Sequence, residues 1–332
     1  MDADTKQLKK KLKDAGLSDR VIEAAWPAWW STAASDSPSA QAELRFSLAR
    51  RLGLSPKALV GDRVEFVWRD HVRFKNLRVD NDDERAALNS FGLSIARILF
   101  RATKAARGRL DGLSAEALRD AIIQSRPFVD LSGLLATCWG LGVPVIHLRV
   151  YPLKAKSMHA MIVRDEGRHA VLLLKDSRYP APAAFWLAHE IGHAAKGHLK
   201  DGEAIADVFE PSKPGEEDAE ETEADRFALA ALTGTPDPNI VTNVDRYTAT
   251  SLAAAVLTEG PRHRIEPGTL ALCLAYKTSR WATANAALRH IYSSEGDVWR
   301  YVNSIAEGEL DWSELSEDSA DYLREVMALS NA

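Results

Sequence analysis

The stretch from Phe185 to Leu199, FWLAHEIGHAAKGHL, holds three histidines and one glutamate among small and apolar residues. Residues four apart in an α-helix lie on one face, so His189 and His193 can direct two imidazoles at one point. Glu190 follows the first of them and can reach a water molecule at that point without being a ligand itself. The pattern H-E-x-x-H therefore predicts a metal site on a helix, with Glu190 as its general base.

The third histidine of this stretch, His198, is not expected to be a ligand. It lies nine residues after His189, which rotates it by about 180° on a continuous helix. It also follows Gly197, where the predicted helix ends. We expect His198 to pack on the apolar face of the helix or to contribute to its cap.

A third ligand is expected downstream, because catalytic zinc takes three protein ligands and leaves one position for water. The acidic segment EETEADRFALAAL (220–232) predicts a second helix. Glu221 lies closer to the apolar stripe of that helix than Glu223, which points towards solvent. Asp225, one turn after Glu221, can hydrogen-bond the free nitrogen of a ligating histidine, whereas Glu220 has no acidic residue at i+4. The predicted site comprises His189, His193 and Glu221 as Zn²⁺ ligands, Glu190 as the catalytic base and Asp225 as a supporting residue, with Glu223 and Glu220 as alternative ligands.

The elements around this site predict an α+β fold that is mostly helical. HAMIV (159–163) and HAVLLLK (169–175), joined by the turn DEGR, predict two strands, and GVPVIHLRV (142–150) predicts another. VEFVW (64–68) is a further strand candidate. A segment rich in Asp and Glu, 201–225, carries one basic residue, Lys213. The order of elements is helices, a small antiparallel sheet, the histidine-bearing helix and then helices again.

The first part of the chain predicts a small helical domain. LARRLGLSPKALV (48–60) resembles the closing helices of the lambda-repressor-like (XRE) helix-turn-helix domain. The recognition helix of such a domain falls near AAWPAWWSTAA (24–34), which has no Lys or Arg to reach phosphates or guanine. DNA binding is therefore not indicated, and the tryptophans of this segment are expected to lie in the core or to face a partner.

Composition favours a cytoplasmic protein. The net charge of −5 gives no general reason to expect nucleic acid or an anionic membrane as a partner. The two cysteines have no CxxC spacing, which suits a reducing compartment. No apolar run approaches the ~18 residues of a membrane helix.

The paired motifs FWLAHEIGHAAKGHL and ETEADRFALAALT resemble those of the ImmA/IrrE family of metallopeptidases, H-E-[LI]-G-H and E-x-x-A-[ND]-x-F-A. The resemblance implies a zinc-dependent endopeptidase with a gluzincin-like site. It also implies a protein substrate, commonly an XRE-type transcriptional repressor, in a switch that controls phage-element or stress-response genes. The predicted domains are the helical repressor-like part (1–75), the metallopeptidase (76–235) and a helical C-terminal domain (236–332).

Two points stay open at the level of sequence. The tetrahedral oxyanion of peptide hydrolysis needs a further hydrogen-bond donor, for which Tyr179, His159 and Tyr151 are candidates. The alternative function is a transcriptional regulator or sensor whose metal site is structural or regulatory. Glu190 argues against this alternative, because a structural site does not require it.

Overall fold

The computed structural model describes residues 3–31, 33–68, 72–75, 82–104, 108–153, 158–207, 219–242, 244, 246–293 and 296–329. Helices dominate this part of the chain, and its strands form one small sheet, which confirms the predicted α+β class. The helices are α1 (Ala3–Asp14), α2 (Asp19–Ala25), α3 (Pro38–Leu52), α4 (Pro56–Val60), α5 (Asp82–Ala102), α6 (Ala115–Ile123), α7 (Leu131–Gly140), α8 (Pro180–Ala195), α9 (Ala219–Thr233), α10 (Ala249–Arg262), α11 (Pro267–Thr278), α12 (Trp281–Ile291), α13 (Val298–Glu309) and α14 (Glu317–Met327). The strands are β1 (Val72–Lys75), β2 (Val145–His147), β3 (Ala160–Asp165), β4 (Arg168–Leu173) and β5 (Glu203–Asp207).

The sheet is mixed, with the strand order β1-β5-β3-β4-β2. The predicted hairpin is present as β3 and β4, which pair antiparallel from Ala160 opposite Leu173 to Asp165 opposite Arg168. Strand β5 also pairs antiparallel with β3. The two edge strands differ from the expected antiparallel arrangement, because β1 runs parallel to β5 and β2 runs parallel to β4. These pairings join strands far apart in the chain, so no local turn specifies their direction.

The segment 64–68 is not a strand, contrary to its apolar pattern. Phe66 makes an isolated bridge to Leu54, and the strand of this region is β1, a few residues later. The backbone N–H of Val67 bonds instead to the carbonyl of Gly53, where α3 ends with φ +67°. Phe66 is therefore buried beside the end of α3 rather than in the sheet, whereas Val67 is 48% exposed.

The sheet separates two hydrophobic cores. Met161 and Val163 of β3 point into one core, and Ala160 and Ile162 point into the other. The same alternation continues in β4 and β5, so these strands are buried on both faces, and their charged residues lie at the strand ends. Helix α5 packs on the first face and α8 on the second. Because α8 is held between the sheet and further helices, its position is well fixed.

The N-terminal helices share the first core with α5 and with α14 from the opposite end of the chain. Arg51 of α3 is buried and donates to the backbone carbonyl of Ala25 at 2.9 Å and to the carboxylate of Asp318 at 2.5 Å. The hydroxyl of Tyr322 donates to the carbonyl of Arg51 at 2.9 Å. These contacts show that α3, near the start of the chain, packs against α14, near its end. The predicted domain boundaries stay a prediction.

The segment expected to hold a recognition helix has another conformation. Helix α2 ends at Ala25, and the regular structure described after it is a 3₁₀ turn, Ala34–Asp36. Trp26 and Trp30 are partly buried against the first core, whereas Trp29 is 42% exposed. The structure thus gives no support to DNA recognition by residues 24–34.

The C-terminal part adds a three-helix unit with its own apolar cluster, formed by α10, α11 and α12. Helix α11 contacts α8, which places this unit beside the histidine-bearing helix. Among the residues that the structure describes, no helix has the length and apolar character needed to cross a membrane.

Candidate metal centre

Helix α8 carries the H-E-x-x-H motif in a fully buried position. It begins with Pro180, whose missing N–H costs nothing at the first position of a helix. His189 is 3% exposed, and Glu190 and His193 are not exposed at all. Ionisable and polar groups are rarely buried to this degree unless they are paired or bind a metal. The burial of these three residues therefore favours a metal site over two ordinary surface histidines.

Close packing between α8 and α9 brings the second motif to the first. Gly192 makes this possible, since a Cβ at residue 192 would lie 3.1 Å from the Cα and the carbonyl oxygen of Ala224 and from the Cβ of Phe227. The two helices form the most extensive contact between elements in the described structure. Glu221 lies one turn before Ala224 and thereby reaches the histidines.

The structure brings His189, His193 and Glu221 together. The Nε2 atoms of the two histidines are 3.0 Å apart. The carboxylate of Glu221 places Oε2 at 3.3 Å from Nε2 of His189 and Oε1 at 3.5 Å from Nε2 of His193. Among the described residues, these three form the group whose ligand atoms are close enough for one metal ion.

The geometry of this group fits a tetrahedral metal ion. Bond lengths of ~2.0–2.1 Å and tetrahedral angles put two ligand atoms of one zinc ion about 3.3 Å apart. The separations of 3.0, 3.3 and 3.5 Å bracket this value. In addition, Oε1 of Glu221 is buried and makes no hydrogen bond within the described part of the chain. Two histidines and one glutamate also form a typical donor set of catalytic zinc.

The charge states of the group also suit a cation. Burial lowers the pKa of His193, which keeps this imidazole neutral and able to act as a ligand. Burial opposes ionisation of Glu221, but its contacts with His189 and His193 outweigh burial and hold the pKa of the carboxylate well below its usual range. A neutral imidazole at His193 and an ionised carboxylate at Glu221 are the forms that bind a metal cation.

Asp225 lies where the sequence predicts a supporting residue. Its Oδ1 is 2.9 Å from Nδ1 of His189, on the side of the ring away from Glu221. A carboxylate can only accept this hydrogen bond, so Nδ1 carries the proton and Nε2 keeps its lone pair. Asp225 has 53% of its side chain accessible. Its negative charge therefore stays in contact with solvent while the carboxylate orients His189.

His198 contacts His193, a relation that helical rotation alone does not predict. Its Nδ1 is 2.9 Å from Nδ1 of His193, and its Nε2 is 3.1 Å from Oε2 of Glu223. Glu223 is exposed as expected, with 56% of its side chain accessible, and its carboxylate also contacts His198. Neither Glu223 nor Glu220 joins the group of ligand atoms among the described residues.

The position of His198 follows from the end of α8. Gly197 has φ +71°, its N–H bonds to the carbonyl of Ala194, and the N–H of His198 bonds to the carbonyl of His193. This pair of bonds is the Schellman motif, in which the chain folds back over the last turn. In the sequence, the glycine before His198 indicates this turn. Because the helix ends there, the rotation of about 180° on a continuous helix does not apply to His198.

The three candidates for an additional donor occupy different places. The hydroxyl of Tyr151 donates to the carbonyl of Leu174 inside the first core, and burial raises its pKa to about 12. Tyr179 precedes the first turn of α8 and stacks on Tyr292, with ring centroids 5.4 Å apart. Tyr179 lies ten residues before His189, about 15 Å along the helix, and the hydroxyl of Tyr151 is already bonded inside the first core.

His159 lies closer to the motif. Its ring stacks on Trp186 with centroids 5.1 Å apart, and Nζ of Lys175 is 2.5 Å from its Nε2. Trp186 is one turn before Glu190 on the same face of α8. His159 and Lys175 thus place two polar groups on the same side of α8 as Glu190.

Comparison with known families agrees with this site. Residues 141–257 match the Peptidase_M78 family model, the IrrE N-terminal-like domain. No curated protein and no solved structure matches the chain. The matched range contains both motifs, the strands β2 to β5 and the helices α8 and α9. The match supports a function of the metallopeptidase type, with the His-His-Glu group as the place where a metal fits.

Proposed function

We propose that this protein is a zinc-dependent metalloendopeptidase. The observation that carries the proposal is the convergence of His189, His193 and Glu221 around one point, with Glu190 between the two histidines in the chain. The match of residues 141–257 to a peptidase family supports the same conclusion. A structural metal site would not need a buried glutamate beside its ligands.

The chemistry assigned to the chain follows from these positions. The Nε2 atoms of His189 and His193 and the carboxylate of Glu221 would hold a zinc ion, which would supply the Lewis acidity needed to activate water and polarise the scissile carbonyl. Glu190 accepts the proton of the attacking water and passes it to the leaving amine. Asp225 holds His189 in the tautomer that presents Nε2. His159, beside Trp186, is our candidate for a donor to the developing oxyanion.

We further propose that the substrate is a transcriptional repressor of the XRE type. The resemblance of the paired motifs to ImmA/IrrE peptidases supports this choice. The exposed Trp29 and its partly buried neighbours Trp26 and Trp30 offer an apolar surface, in the segment between α2 and the 3₁₀ turn, for docking of another protein. In this proposal the protein cleaves a repressor, and the genes that the repressor controls are then switched on.

The test is Glu190→Gln in the full-length protein. The amide keeps the size of the side chain but cannot take up the proton, so zinc content and folding should persist while cleavage of the repressor stops. Glu203→Gln is a matched control, because Glu203 is also buried (8% exposed) but accepts a hydrogen bond from the backbone of Lys200 instead. Persistent cleavage by Glu190→Gln would favour the alternative of a regulator with a non-catalytic metal site.

A further inference from the structure

His198 and Glu223 form a chain of hydrogen bonds that ends on His193. Glu223 Oε2 lies 3.1 Å from Nε2 of His198, and Nδ1 of His198 lies 2.9 Å from Nδ1 of His193. His198 is 8% exposed, whereas Glu223 is at the surface. The chain therefore connects a surface carboxylate with a fully buried imidazole.

The order of protons along this chain follows from its chemistry. The carboxylate of Glu223 can only accept, so Nε2 of His198 carries a proton and donates it. In a neutral imidazole the other nitrogen is then an acceptor, which makes Nδ1 of His198 the acceptor and Nδ1 of His193 the donor. His193 thus keeps its lone pair on Nε2, the atom that faces His189 and Glu221.

The arrangement parallels the one at the other histidine. His189 is oriented by one carboxylate, Asp225, at 2.9 Å. His193 lies further from the surface and has an intervening imidazole between itself and its carboxylate. Asp225 and Glu223 are two residues apart on α9, so both histidines of α8 are oriented from the helix that also carries Glu221.

We propose that His198, held by Glu223, is a positioning residue that fixes the tautomer and orientation of His193 for metal binding. This inference rests on the proposed function, because it assumes that the group binds zinc. The Schellman turn at Gly197 fixes the backbone of His198 over the last turn of α8. The orienting ring is therefore part of the helix end and does not depend on a separate loop.

The experiment compares His198→Leu, which removes the acceptor, with His198→Asn, whose Oδ1 can accept in place of Nδ1 and whose amide can donate to Glu223. The zinc dissociation constant of each full-length variant is measured by competition with a chelator, and the visible spectrum of the Co²⁺-substituted protein reports the ligand geometry. We expect His198→Leu to bind zinc ~10–100-fold more weakly with an altered Co²⁺ spectrum. His198→Asn should restore most of the affinity and the wild-type spectrum.

Glu223→Ala gives the same comparison at an exposed position where loss of folding is not expected. It should weaken zinc binding by about tenfold or less, since water can replace part of the contact, and Glu223→Gln should weaken it less because its carbonyl still accepts. The surface pair of His263 and Glu259, 3.7 Å apart, provides matched controls. His263→Leu and Glu259→Ala should leave the zinc dissociation constant and the Co²⁺ spectrum unchanged.

Urea unfolding of the metal-free variants measures whether each substitution also changes the stability of the fold, apart from its effect on zinc affinity. If His198→Leu and His198→Asn lose affinity equally, or if His198→Leu and Glu223→Ala bind zinc as tightly as wild type, the positioning role is wrong. Wild-type protein that binds no zinc would overturn both the inference and the proposed function. Wild-type protein that binds zinc but cleaves no protein, together with the expected order of affinities, would contradict only the proposed function.

Discussion

Gly192→Ala tests whether close packing of α8 on α9 positions the metal centre. The new Cβ would lie 3.1 Å from two backbone atoms of Ala224 and from the Cβ of Phe227. Carbon atoms pack at about 3.5–4.0 Å, so α9 has to move away by roughly 0.5 Å. Overpacking of this kind costs ~1–3 kcal/mol, while removal of a helical glycine contributes ~0.5–1 kcal/mol of stability. We therefore expect a net loss between about 0 and about 2.5 kcal/mol in the free energy of unfolding.

Gly308→Ala in α13 is the matched control, because nothing lies within 4 Å of the Cβ that it adds. This variant should be more stable than wild type by ~0.5–1 kcal/mol. Urea unfolding in the presence of a chelator measures both variants without metal. The difference between them, ~1–3 kcal/mol, isolates the steric cost at the interface of α8 and α9.

The same substitution should weaken zinc binding. Glu221 lies three residues before Ala224 on α9 and moves with it. We expect a roughly tenfold larger zinc dissociation constant, which corresponds to about 1.4 kcal/mol. If Gly192→Ala is stabilised as much as Gly308→Ala and binds zinc like wild type, the contact between the two helices does not position the carboxylate.

Two further predictions concern the ligands and a buried histidine. Glu221→Ala should abolish zinc binding in elemental analysis, whereas Asp225→Ala should lower affinity only ~10–100-fold, and equal zinc content in the two variants would contradict the assigned roles. Burial of His169 lowers its pKa to about 4, against an ordinary value near 6.5. Since the unfolded chain takes up this proton first, stability should fall as the pH falls from about 6.5 to about 4. The urea midpoint of His169→Leu should depend less on pH in this interval, and an unchanged slope would contradict the assignment.

The sequence by itself determines the local parts of the site. The spacing of His189 and His193 fixes two imidazoles on one face as soon as the segment is helical. Patterns of apolar residues within single elements also predict the hairpin and favour Glu221 over Glu223 as the third ligand. The structure contains the hairpin and brings Glu221 to the two histidines. These features depend on residues only a few positions apart, where backbone periodicity is sufficient.

The tertiary structure decided what depends on contacts between distant segments. The approach of α9 to α8 at Gly192 sets the distance from Glu221 to the histidines, and no periodicity encodes it. The parallel edge strands and the contact of Arg51 with Asp318 likewise join residues remote in the chain. His198 is the instructive case, because a left-handed glycine reverses the chain and cancels the rotation that a continuous helix would impose. Helical geometry predicts directions only within one element, whereas turns and packing between elements determine which side chains meet.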